Sequence, residues 1–263
     1  METIKFGEPN NRKPPLLFIH GSYCGAWIWQ RYFLPYFARE GFYGAAISLR
    51  GHGRDEDKST LDCFGLYDFL SDIAQGVHLF DVPPVLIGHS MGGYLVQRYA
   101  LEHEVRGMVL LGSPALTGLA GSSQHILANN PTLAIQLGLL MAFGPSFADI
   151  DVINQALCDC PLSPDARAEL AGLLQAESKR VTSEIMWPYW VEPEHKPPTL
   201  VLGGDKDAFV PVSDFKYAAA SWDATLKIMP GVPHGGMLAK CWSSIAKEIQ
   251  EWLEATFPPR KGG

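Results

Sequence analysis

Apolar positions along the chain fall into two registers. Short runs at 16–19, 85–87, 107–111 and 200–202 are apolar at nearly every position. Such runs predict strands buried on both faces, as in a parallel sheet. Residues 43–49 and 225–229 are predicted as further strands, and residues 2–8 as an edge strand ahead of Pro14-Pro15. Between strands the apolar residues recur at helical spacing. Leu66, Phe69, Leu70, Ile73 and Val77 form one stripe, and Leu238, Trp242, Ile245, Ile249 and Leu253 line a closing helix. Pro211 is placed at the first turn of another. The alternation predicts an α/β fold: a mostly parallel central sheet flanked by helices.

From 115 to 194 that alternation stops, and helical patterns dominate at 126–129, 132–143 and 164–187. This stretch is predicted to be a helical cap inserted into a core formed by 1–114 and 195–263. Its apolar piece, from Leu133 to Phe143 and interrupted by Gln136 and Gly138, is read as a buried cap helix in preference to a lipid-seeking lid. Trp187-Pro188-Tyr189-Trp190 supports two equal readings: it faces a substrate, or it packs the insertion onto the core. The tail 258–263 is expected to fray.

Candidate chemistry sits at the strand ends. Gly88-His89-Ser90-Met91-Gly92 links the strand at 85–87 to a helix read from Tyr94 onward, the setting in which G-x-S-x-G has meaning. A strained turn there would lift the Ser90 hydroxyl above the sheet. An acid and then a histidine should follow in chain order. Gly204-Asp205-Lys206-Asp207 and Pro233-His234-Gly235 do so, each just past a predicted strand, on the rim where open parallel sheets assemble sites.

The chain resembles the α/β-hydrolase superfamily over nearly its full length. The resemblance rests on His20-Gly21-Ser22, Arg50-Gly51-His52-Gly53, Gly-His-Ser-Met-Gly at 88–92, Gly-Asp-Lys-Asp at 204–207 and Pro-His-Gly at 233–235. It implies a triad of Ser90 as nucleophile, His234 as base and Asp207 as orienting acid, the acid standing three residues after Gly204 and before Val210-Pro211. Asp205 is the fallback acid, otherwise a turn-bonding residue. The resemblance also implies an oxyanion hole made by the backbone N–H groups of Ser22 and Met91. His20 and His89 are read as structural, and His52, His103, His125 and His195 as surface or turn residues. Ser48 replaces an acid that relatives often carry before the Arg-Gly turn, and Cys24 stands where some plant members carry a second histidine.

That resemblance implies acyl transfer with no cofactor and no metal. An aromatic, apolar cap favours an uncharged substrate, so the expected activity is hydrolysis of a carboxylic ester of a small-to-medium, largely apolar molecule. C–C bond hydrolysis, lactone or thioester cleavage with the same triad, and ligand reception with the triad retained, are the alternatives. A formal net charge of −7 argues against nucleic acid or an anionic membrane as partner. The N-terminus lacks an apolar leader and the chain lacks a membrane-length apolar run. Five scattered cysteines fit reduced thiols in a cytoplasmic setting better than a disulfide framework. Cys158-Asp159-Cys160 lacks the second ligand pair a zinc site needs.

Overall fold

A computed structural model describes residues 1–10, 12–54, 58–159, 161 and 163–258. Two expectations, concerning Cys160 and the tail from 259 onward, lie outside the described residues. Seven strands form one sheet: β1 (Thr3–Phe6), β2 (Leu16–Ile19), β3 (Gly44–Ile47), β4 (Val85–His89), β5 (Gly107–Leu111), β6 (Thr199–Gly204) and β7 (Thr225–Met229). Their order is β1-β3-β2-β4-β5-β6-β7. β1 pairs antiparallel with β3, and every other pairing is parallel. β4 therefore lies in the middle, flanked by β2 and β5.

Alternation along each strand divides the core. Leu17 and Ile19 of β2 join Leu86, Leu110 and Val201 on one face, under α3 (Leu66–Val77), α4 (Met91–Ala100) and α10 (Val212–Trp222). Leu16 and Phe18 join Ile87, Val109 and Leu202 on the other, under α1 (Trp27–Gln30), α2 (Phe33–Arg39) and α11 (Trp242–Thr256). Strands β2 to β6 are buried throughout, which is why they read as continuous apolar runs.

Between β5 and β6 the chain leaves the sheet and folds into α5 (Ala120–Asn129), α6 (Pro131–Phe143), α7 (Ile150–Cys158), α8 (Pro164–Leu173) and α9 (Lys179–Glu184). Boundary signals are local. Asn130 caps α6 by accepting the Leu133 N–H, with Pro131 at the first position, and Asp149 caps α7 through the N–H groups of Asp151 and Val152.

The structure differs from expectation in several places. The strand predicted over 43–49 stops at Ile47; Ser48 still donates its N–H to Glu2 O (2.9 Å), and its Oγ donates to Glu2 Oε2 (2.6 Å) and accepts the Ala26 N–H (2.9 Å). The helix after Ser90 starts at Met91, so Gly92 and Gly93 are helical. α7 was not expected, and the predicted helix 164–187 is two helices separated by an extended stretch at Leu174. Pro211 caps α10 from outside it, and Leu238 precedes α11. α6 is not a buried helix: of its thirteen residues only Leu133 and Leu140 are buried, while Ile135 and Phe143 are more than 60% exposed (63% and 62%). Leu133 and Leu140 pack on Ile126, Ile153 and Ala156, a small cluster separate from the sheet's two cores. No helix among the described residues is long and apolar enough to cross a membrane.

Candidate active site

β4 ends at His89 and α4 begins at Met91, so Ser90 alone makes the turn between them. Its backbone sits at φ 53°, ψ −121°, a conformation that non-glycine residues hold only under constraint. The constraint comes from three elements. The Ser90 N–H donates to Leu111 O at the end of β5 (3.0 Å), and its carbonyl accepts from Gly93 (2.9 Å) and Tyr94 (3.2 Å) in the first turn of α4. A Cβ on Gly92 would collide with the backbone of Ile19 and His20.

Ser90 opens onto a cavity of about 320 Å³ whose wall it shares with Ser22, Met91, His89 and His234. His234 Nδ1 lies 2.8 Å from Asp207 Oδ2, with both side chains buried. Asp207 Oδ1 accepts the N–H groups of Phe209 and Val210, each at 2.8 Å. A carboxylate bonded on both oxygens can only accept, so the neutral imidazole carries its proton on Nδ1 and leaves Nε2 as a bare lone pair. The ring is held further by Phe209, stacked on it at 4.6 Å, and by His89, whose Nε2–H donates to the His234 carbonyl (3.0 Å). Asp205 is elsewhere: its Oδ1 accepts the Gly231 N–H (2.6 Å) and ties the turn, the alternative to its reading as the acid.

Ser22 arrives from the end of β2. A Cβ on the preceding Gly21 would stand 3.0 Å from Ser90 Cβ and from His89 Nδ1, so this loop lies directly against the turn at Ser90. Ser22 Oγ donates to Met91 Sδ (3.2 Å), bringing the two residues together. Met91 opens α4, where N–H groups have no intrahelical acceptor and the helix dipole is positive. Four kinds of group thus meet at one rim: a hydroxyl, an oriented imidazole, a buried carboxylate and main-chain N–H donors. Together they can deprotonate an alcohol, direct it at a carbonyl and stabilise the resulting oxyanion.

The rest of the wall is uncharged. Leu119, Ile126, Leu140, Met141, Ile153 and Phe209 are among its apolar residues, and none of the described lining residues is Asp, Glu, Lys or Arg. Cys24 also borders the cavity. Burial, then the nearby carboxylate of Glu177 and the Cys158 thiol, push its thiol up to about 12, so it stays protonated and is no competing nucleophile. No three His, Cys, Asp or Glu side chains among the described residues gather as metal ligands would.

Several features were not read from the sequence. The Leu157 carbonyl of α7 accepts the Gly235 N–H next to His234 (2.6 Å). His52, read as a surface or turn residue, is fully buried, with Nε2 3.4 Å from Glu177 Oε2. The aromatic stretch at 187–190 does not line the cavity. Trp187 and Trp190 are exposed (70% and 74%), while Tyr189 lies under the Arg98 guanidinium of α4 at 3.6 Å, packing the insertion onto the sheet's flank. Spacing in one sequence carries no signal for contacts of this kind, which join residues far apart along the chain.

His20, behind the site, has a structural role with a measurable consequence. Its Nε2 accepts the Leu49 N–H (3.0 Å) and its Nδ1 donates to the Gly21 carbonyl (2.8 Å). Burial first, and the neighbouring His52 second, hold its pKa down to about 3, against 6.5 for the free side chain. The unfolded chain therefore binds the extra proton first. The stability this histidine contributes is complete above about pH 6.5 and drains away as pH falls toward 3. Urea unfolding should show wild type losing on the order of 1–3 kcal/mol more than His20→Gln between pH 7 and pH 4.5. Equal losses in the two proteins would refute this assignment.

A sequence profile of the alpha/beta hydrolase family matches residues 16–240. The chain is similar to a monoacylglycerol lipase of Mycolicibacterium smegmatis, at 30% identity over 241 residues covering 82% of this chain and 80% of the relative. It is also similar to a non-heme haloperoxidase of Rhodococcus erythropolis, at 27% identity over 244 residues, 84% of this chain and 85% of the relative. Among solved structures, the esterase RhEst1 of Rhodococcus sp. ECU1013 superposes with a TM-score of 0.74 at 22% identity, covering 97% of this chain and 94% of the other. A monoglyceride lipase of Saccharomyces cerevisiae superposes at 0.73 with 17% identity, covering 97% and 91%. At these identities the structural likeness speaks for the fold.

Proposed function

Because this chain belongs to the alpha/beta hydrolase family, we propose that it is a serine hydrolase that cleaves carboxylic esters of small-to-medium, largely apolar molecules through an acyl-enzyme. The observation that carries this reading is the positive-φ serine sharing one cavity wall with a histidine already bonded to a buried aspartate. Ser90 Oγ attacks the ester carbonyl while His234 Nε2 takes its proton. Asp207 holds the imidazole in the required tautomer and stabilises the imidazolium that forms. The oxyanion is received by the N–H groups of Ser22 and Met91. His234 then returns the proton to the departing alcohol, and water, activated by the same imidazole, releases the acid.

Residues 115–194 act as a cap over a core of 1–114 and 195–263 in this reading, since α5, α6 and α7 supply most of the apolar lining. The uncharged wall favours uncharged substrates. The name of one relative, a monoacylglycerol lipase, supports ester cleavage. The cavity holds about ten water-sized volumes, which suits acyl chains of roughly four to eight carbons.

The test is a stopped-flow series with p-nitrophenyl esters of rising chain length. A nitrophenol burst of up to one equivalent per active site, absent in Ser90→Ala, with an optimum in that middle range, is expected. Folded wild-type protein that turns over no ester, or turns it over equally well without Ser90, would overturn the proposal.

A further inference from the structure

We propose that Glu177, in the break between α8 and α9, is a positioning residue that holds the Ser22 N–H in place through the backbone of Tyr23. The inference rests on the ester-hydrolase reading, because it concerns the donor that reading assigns to Ser22. It begins at Tyr23, the residue after Ser22, which stands at φ 64°. A left-handed backbone at a tyrosine is unfavourable, and it persists only where neighbours hold it.

Here the neighbours come from the inserted helices. The Tyr23 N–H donates to Glu177 Oε2 (3.3 Å), and the Tyr23 carbonyl accepts the Gln175 N–H (2.9 Å). Both polar groups of the strained residue are therefore gripped by one short segment. That segment is itself anchored. The Gln175 side chain bonds both backbone groups of Gly53 (2.9 and 3.1 Å), and the Ser178 hydroxyl donates to Phe64 O (2.7 Å). Glu177 is 4% exposed; its Oε1 accepts the Ser178 N–H (2.8 Å), and Oε2 also faces His52 at 3.4 Å.

An acid is a costly way to fill a buried position, and a well-packed apolar side chain would serve stability as well or better. What an apolar side chain lacks is an acceptor for the Tyr23 N–H. With that acceptor gone, Tyr23 relaxes toward ordinary negative φ. The peptide joining it to Ser22 rotates, and the Ser22 N–H, one residue away, loses its aim at the oxyanion. The cap is then part of the catalytic scaffold rather than a loose cover, gripping one loop at Tyr23 and the other at Gly235.

Three variants separate this role from general stabilisation. Glu177→Ala removes the acceptor, Glu177→Asp withdraws it by one methylene, and Glu177→Gln leaves an amide oxygen in reach. The readouts are kcat and KM on the best p-nitrophenyl ester, the inhibition constant of an alkylboronic acid, and that of hexanol. The boronic acid forms a tetrahedral adduct on Ser90 that needs the oxyanion donors; hexanol needs only the cavity. Losing a single oxyanion donor outright costs about 10²–10³ in kcat, so misaligning one should cost Ala and Asp roughly 10–100-fold. KM and hexanol binding should stay within about threefold, boronate affinity should fall with kcat, and Gln should regain most of both.

Unchanged kcat in Asp and Ala would overturn the proposal while leaving the ester reading intact. Equal losses of hexanol and boronate binding would overturn it too, by showing a collapsed cavity. If Ala does not fold, the Asp and Gln pair still decides. If wild type proves inactive on every ester, the functional reading fails, and boronate binding still reports on Glu177 because it requires only Ser90 and the loop.

Discussion

Ser90→Ala is expected to lower kcat for the preferred ester by roughly 10⁵–10⁶, with KM within a few-fold of wild type. The size follows from how the groups work together. In the proposed mechanism Asp207 and His234 act together to activate one hydroxyl, with His234 Nε2 as the acceptor of its proton. The cavity and the oxyanion donors survive the substitution, so binding persists and a residual acceleration over water remains. Because the residues act as a unit, Ser90→Ala/His234→Ala should be no worse than Ser90→Ala alone. Asp207→Asn should cost about 10⁴. Its amide can still accept from Phe209 and Val210 through oxygen, but the nitrogen then faces His234 Nδ1 and demands the wrong tautomer. Active-site titration beside steady-state kinetics on the four proteins would measure this. Losses that multiply from one substitution to the next would disprove a single catalytic unit.

Gly88→Ala should be strongly damaging at the fold's centre. A Cβ there would lie 2.5 Å from Gly92 O and 2.6 Å from both Gly92 C and Gly93 Cα. All three atoms are backbone in the turn that carries Ser90, so no side chain can swing aside. The turn must open, taking with it the Leu111–Ser90 hydrogen bond and the start of α4. The expected cost is roughly 3 kcal/mol or more, seen as a lowered urea midpoint or as insoluble protein, with activity lost in whatever folds. Gly138→Ala supplies the control. A Cβ at Gly138 meets nothing within 4 Å, and the position is interior to α6, so this variant should gain up to about 1 kcal/mol. If both variants denature alike, close backbone approach is not what Gly88 provides.

How legible these features were depended on the range of the forces that fix them. Strands β5 and β7 and helix α3 matched their predicted limits, because each is set by its own apolar period and a local turn. The placement of Ser90, Asp207 and His234 on one rim was also readable, since each closes a strand of a parallel sheet whose ends all point one way. The choice of Asp207 over Asp205 came from a family pattern; in the structure Asp207 bonds His234 and Asp205 turns toward Gly231. The inserted helices were read worst. α6 is apolar yet largely exposed, with Ile135 and Phe143 outside the cavity that others of its residues line, and a nearly continuous apolar run carries no period to separate core, cavity wall and outer surface. The break before α9 is imposed by Gln175 and Glu177 reaching back to Gly53 and Tyr23, bonds that no local propensity encodes. His52 looked like a turn residue for the same reason: the carboxylate that buries with it lies far along the chain.

The sheet order has a further consequence during biosynthesis. Ser90 sits on the central strand, completed early in the chain, whereas Asp207 and His234 follow β6 and β7 at the far end of the sheet. The ribosome delivers the N-terminal part first. Until the last quarter of the chain emerges and docks, the sheet's open edge is β5 and the serine lacks the acid and base of the proposed triad. In the proposed mechanism a nascent chain therefore has no activated nucleophile, and Ser90 can take an acyl group from an ester only once His234 has docked.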